Sequence, residues 1–198
     1  MSYTREQIEA AVKAKGYAWF DDAANKGFDV NIVGIRNSST GQVVTNAFDD
    51  TLTISYKENG EWKFHSWPAT TDPGKKGVLE YHNAAGVARL VEGQYRGSHA
   101  IGLHQGKYEA LKQAKNVKVY RDSNKDLTYN EDKIQEGVFG INIHKAGADS
   151  TYVENWSEGC QVFKKSADFD AFMIICNKSK NIHGNSFTYT LIESSDIK

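Results

Sequence analysis

Proline is almost missing from this chain, with two residues in 198. That leaves no Pro-rich linker and no polyproline segment. Cysteine is equally sparse. Cys160 and Cys176 alone exclude a disulfide framework, although a single bridge between them stays open. No apolar run approaches the length that spans a bilayer. The opening MSYTREQIEA has no stretch resembling a secretory signal. The expectation is a protein synthesised in the cytoplasm, without a signal peptide and without a membrane span. Charge of one sign is lacking too. The formal net charge is -1 and no basic stripe occurs, so no nucleic-acid partner is expected.

Aromatic residues, in contrast, make up 12% of the chain and favour strands. Residues 28–35 (FDVNIVGI) read as a strand. LTISYK then runs into Asn59-Gly60 and returns as EWKFHSW, the pattern of a hairpin on a type I′ turn. ATTDPGKKG reads as a loop, 107–115 as a short helix, and 117–120 and 138–144 as strands. Thr4 and Gln7 have the spacing of a capping box for a helix over 4–15, with Gly16 as its stop. Ser166 is placed to cap a second helix with Phe169, Phe172, Met173 and Cys176 on its apolar face. FTYTLI (187–192) reads as a last strand. Length and element order indicate one mainly β (α+β) domain with a few peripheral helices. Residues 1–27 form a helical segment packed on a domain of residues 28–198.

The chemistry concentrates in GINIHKAGADSTYVENWSEGCQVF. Along 138–144, Phe139, Ile141 and Ile143 share one face and Asn142 and His144 the other. His144 therefore ends the strand on its polar side. A loop follows, and then Ser157-Glu158-Gly159-Cys160. A nucleophilic cysteine needs a neighbouring base, which His144 supplies if the loop returns Cys160 to it. Gly159 lets backbone approach a substrate, and the amides around Cys160 suit an oxyanion. Cys176, on the apolar face of a helix, reads as core.

The histidine followed after a loop by Ser-x-Gly-Cys resembles the YkuD-like L,D-transpeptidase family, over roughly residues 137–163. The resemblance implies an L,D-transpeptidase-like β-sandwich. It implies catalysis by Cys160 and His144, with Ser157 and Gly159 as motif residues and the Lys145 carbonyl orienting the imidazole. The implied partner is bacterial peptidoglycan, attacked through a thioester, with no cofactor required. The chain departs from the family at Lys145-Ala146, where Gly-Thr is common. It departs again at Glu158, where His is common, and at Val162, where an Arg helps form the active-site floor. With no export signal in view, hydrolysis by an endolysin-like or delivered protein is favoured over cross-link formation. A catalytically silent wall-binding or particle-structural module is the other alternative. Trp156 reads as a substrate wall or as core. His99 and His104 read as surface or groove histidines, one of them lining a cleft, since the three or four convergent ligands of a zinc site are not apparent.

One more pattern stands apart. Asp122, Asn124, Asp126, Thr128 and Asn130 alternate like the start of a calcium-binding EF-hand loop. Leu127 stands where the sharp turn wants Gly, and Lys133 where a bidentate Glu belongs. The expectation is either a structural calcium bracing the strand to His144 or a solvated turn.

Overall fold

The computed structural model describes residues 3–198. Helix α1 (Arg5–Ala14) starts at Thr4, whose side chain accepts from the Gln7 amide while the Gln7 side chain accepts from the Thr4 amide. The capping box therefore closes as the spacing predicts. Ile8, Ala11 and Val12 of α1 pack on Val33, Ile35 and Ile192 of the sheet.

Strand β1 (Asn31–Arg36) precedes a long hairpin, β2 (Asp50–Glu58) and β3 (Glu61–Thr70). Both turn residues, Asn59 and Gly60, have positive φ, as a type I′ turn requires. The stretch read as a loop after this hairpin holds the end of β3 and a short helix, α2 (Lys75–Glu80). Next come β4 (Val87–Leu90), β5 (Gly93–His104), β6 (Tyr108–Gln113) and β7 (Val117–Asp122). The chain ends with β8 (Ile134–Gly137), β9 (Ile143–Lys145), β10 (Gln161–Phe163), α3 (Ser166–His183) and β11 (Phe187–Glu193).

The helix expected at 107–115 is the strand β6. YEALKQ has helix-forming residues, but its pairing with β5, from His99↔Gln113 to His104↔Tyr108, overrides that propensity. The strand expected over 138–144 survives only as β9. Gly140 turns left-handed at φ 77°. The Gln113 carboxamide replaces the missing ladder by accepting from the Phe139 and Ile141 amides and donating to the Gly137 carbonyl. Lys165, not Ser166, is the N-cap of α3, with no side-chain cap.

The chain is mainly β, with few helices. Eight strands form a closed barrel in the order β1-β11-β5-β6-β9-β10-β3-β2, and β4-β7-β8 form a separate sheet. This differs from the two-layer sandwich expected: β1 pairs with both β2 and β11, so the sheet meets itself and leaves no edge. α3 lays Phe169, Phe172, Met173 and Cys176 on the core beside Phe163. Each such aromatic, fully buried, contributes roughly 1.5–3 kcal/mol. Among the described residues no helix is long and apolar enough to cross a membrane.

One buried polar network runs toward the site. Arg36, 1% exposed, pairs with Asp72 at 2.8 Å and with Glu92. It also donates to Thr71 Oγ1 at 3.1 Å and to the Thr71 and Leu90 carbonyls. The same Thr71 carbonyl accepts from Gln161 Nε2 at 3.4 Å, and Gln161 follows Cys160 directly.

Candidate active site

β9 and β10 run parallel, with His144 beside Val162 and Ile143 beside Gln161. This register, sealed by the Gln161 amide donating to the Asn142 carbonyl at 2.8 Å, carries Cys160 back to the end of the strand that bears His144. Ile141 and Ile143 point into the core, as the alternation predicts. On the opposite side, His144 and Cys160 both line a cleft of about 530 Å³. That is the size of a small-ligand site.

The turn before the thiol is held by its own residues. Ser157, fully buried, donates its hydroxyl hydrogen to the Cys160 carbonyl at 2.8 Å and accepts from the Gly159 amide at 3.2 Å. Gly159 has φ 129°, and a Cβ there would run into the Ala88 carbonyl oxygen of β4. Gly159 is thus demanded twice, by backbone conformation and by contact. Its amide is taken by Ser157. Gln161 secures the next residue, donating to the Gly159 carbonyl and accepting from the Tyr189 hydroxyl at 2.7 Å.

His144 Nδ1 stands 3.0 Å from the Lys145 carbonyl. A carbonyl accepts only, so Nδ1 carries the proton and Nε2 is the free, basic nitrogen. The ring stacks on His104, centroids 4.2 Å apart. Burial pushes the His144 pKa down to about 4, His104 beside it pushes the same way, and the Lys145 carbonyl opposes them. Burial pushes the Cys160 thiol up to about 11 against the Asn142 amide, with Glu158 adding to the rise. The resting pair is therefore a neutral thiol and a neutral imidazole. The thiol donates to the Gly140 carbonyl at 3.3 Å, and the Asn142 amide points at Sγ from 3.5 Å.

The remaining sequence candidates divide. Lys145, Trp156 and His104 join His144 and Cys160 in the cleft. Trp156 is 46% exposed, a wall rather than core. No family model, curated protein or solved structure matches the chain. Val162, where the resemblance calls for Arg, is wholly buried between His144 and Thr70 in the sheet. His99 is not in the cleft. It is buried, with Nε2 at 2.9 Å from the Ile141 carbonyl and Nδ1 at 2.8 Å from Ser98 Oγ. Among the described residues no group of three or more His, Cys, Asp or Glu is arranged to hold a metal. Cys176 is buried on α3, and both cysteines are free thiols.

The cleft also holds residues that sequence reasoning passed over. Tyr108 and Lys107 line it, and the Tyr108 hydroxyl lies 3.5 Å from the Lys145 carbonyl. Reading 107–115 as a helix hid them. Asn142 carries a usable signal, since it alternates onto the face of His144. Its Oδ1 accepts from the Gln113 amide and its Nδ2 approaches His104 Nδ1 at 3.4 Å.

Proposed function

We propose that this protein is a peptidoglycan-acting cysteine enzyme of the L,D-transpeptidase type, cleaving stem-peptide or cross-link amides through a thioester. The observation that carries this reading is one cleft that takes in the Cys160 thiol and a His144 ring whose Nδ1 is committed to the Lys145 carbonyl. That commitment leaves Nε2 as the base.

In the proposed reaction, Cys160 Sγ attacks the amide carbonyl while its proton passes to His144 Nε2. The tetrahedral oxyanion takes a hydrogen bond from the Cys160 amide. Collapse expels the amine, which leaves with the proton from His144, and a thioester remains. Water, deprotonated by the same nitrogen, releases the acid and restores the thiol. Because thiol and imidazole rest neutral, proton transfer accompanies attack instead of preceding it. Lys107 at the cleft suits a free carboxylate of a stem peptide, and Trp156 suits its apolar portions; the Lys145 ammonium is already paired with Asp170 at 2.9 Å. The protein would meet the wall after release or delivery from the cell that makes it.

The test is muropeptide mass spectrometry after incubation with purified peptidoglycan. New peptide termini from the parent protein and none from Cys160→Ala support the reading; identical products from both overturn it. A second reading has its own support, because Val162 replaces the expected Arg and burial disfavours the thiolate. It is a wall-binding module without turnover. Retention on insoluble peptidoglycan, unchanged by Cys160→Ala and without product, would favour it.

A further inference from the structure

Asp122 closes β7 and is 2% exposed. Its Oδ1 accepts from the Lys125 amide at 2.8 Å, where Lys125 turns left-handed at φ 56°. Its Oδ2 is buried without a hydrogen-bond partner, and so is Glu131 Oε1. The two carboxyls face each other. Asp126 does not join them: its Oδ1 accepts from the Thr128 amide at 2.8 Å and its Oδ2 from Asn124 Nδ2 at 2.9 Å. Among the described residues no group of three or more His, Cys, Asp or Glu is placed to hold a cation, so the calcium expected of this loop has no site. A buried carboxylate oxygen with no donor is costly, and two such charges in contact repel. One proton settles both: Glu131 Oε1 becomes a hydroxyl and donates to Asp122 Oδ2.

The surroundings offer no other donor or counter-charge. Opposite Asp122 on β4 stands the apolar Val87. The Lys125 ammonium is turned onto the Tyr81 carbonyl at 2.6 Å. Arg89 lies over the Tyr129 ring and is committed to Asp72 at 2.9 Å. Arg121 alternates onto the other face of β7, over Phe139. The segment from Gln42 to Val44, which meets the loop at Leu127, Thr128 and Tyr129, brings no charge. Asp126 acts on both carboxyls with the same sign as their own. We propose that Asp122 and Glu131 share one proton and form a pH-sensitive latch on the loop from 122 to 131.

Burial, opposed by the Lys125 amide, pushes the Asp122 carboxyl up, and burial with the charges of Asp122 and Asp126 pushes Glu131 up. The folded pair therefore holds its proton more tightly than the unfolded chain, whose carboxyls titrate near 4. The latch is fully closed below that value and opens as pH rises through the folded one, releasing its proton to water. The loop is tied to the nucleophile's turn. Tyr129 donates its hydroxyl hydrogen to the Pro73 carbonyl at 2.7 Å, and the adjacent Gly74 amide donates to the Ser157 carbonyl at 2.9 Å. Opening the latch thus loosens the segment beneath Cys160.

The experiment is amide hydrogen exchange on the full chain from pH 4 to 8, corrected for intrinsic rates, and needs no turnover. In the parent, protection of the Lys125 amide should fall as pH rises, by up to about tenfold per unit, the slope of one proton. The Gly74 amide should follow with a smaller amplitude. Glu131→Gln supplies a permanent N–H to Asp122, and Asp122→Asn supplies one to Glu131. Either variant should make protection of the Lys125 amide independent of pH. The latch is overturned if protection in the parent stays level, or if the slope persists in either variant that folds. A Gly74 amide indifferent to pH in the parent overturns the tie to the turn.

Discussion

Arg36 and His144 are both buried, yet Arg36 keeps its charge and His144 gives up its own. Around Arg36, Asp72 and Glu92 supply counter-charges, and two carbonyls and a hydroxyl fill the remaining donors. Burial raises the Asp72 carboxyl, but Arg36 and Arg89 more than reverse this and hold it below its ordinary value. Nearby Asp50, dominated by burial and by Asp72, goes up instead. Around His144 no carboxylate plays that part. Its neighbours are a second imidazole and a carbonyl, so burial wins. The two regions show that depth alone does not decide ionisation; the supply of opposite charge does. A saturated cluster holds the barrel, and an unsaturated one lines the cleft.

The sharpest way to break this contrast is Arg36→Ala. It strands Asp72 and Glu92 without their cation and should cost about 3–5 kcal/mol, read as a lower urea midpoint. On the neutral side, the unfolded chain protonates His144 near 6.5, whereas the folded chain resists until about 4. The unfolded state therefore binds the extra proton in that window, and stability falls as pH drops through it. By that linkage, His144→Gln should remove up to about 3 kcal/mol of acid destabilisation between pH 6.5 and 4. Urea melts at several pH values would measure it. Gly159→Ala forces a side chain into a left-handed site and against Ala88; the backbone strain alone is worth about 1–3 kcal/mol, and turnover should vanish with it. The comparison is sharpened by iodoacetamide labelling of Cys160. With the thiol raised to about 11, labelling should climb about tenfold per pH unit from 7 to 10 without levelling. A plateau near neutrality would mean that the pair is ionised after all.

Much of this was legible from local pattern. The Thr4–Gln7 capping box, the Asn59-Gly60 turn, the buried face of α3 and the alternation that sends Ile143 inward and His144 outward all depend on neighbours within a few residues. Tertiary context hid the rest. YEALKQ is a strand only because β5 lies beside it. Gln113 stabilises 137–141 through a side chain standing in for a ladder, which no periodicity reports. Arg36 looks like an ordinary strand arginine until Asp72 and Glu92 arrive from distant segments. At the site, the Ser-x-Gly-Cys spacing exposed the turn and the departure at Val162, whereas Tyr108 became meaningful only once β6 had a position. Closure into a barrel was likewise invisible, since it rests on the pairing of the first strand with the last.

That pairing has a consequence for how the chain comes into being. Ile32 lies opposite Tyr189, and β11 sits between β1 and β5. While the chain is still emerging from the ribosome, β1 waits with one edge unpaired until residues 187–193 appear. Closure is then a slow, long-range event that follows synthesis. Tyr189, which grips Gln161 beside Cys160, arrives with that same strand. Cys160 is translated before that strand and gains this support only when the barrel shuts.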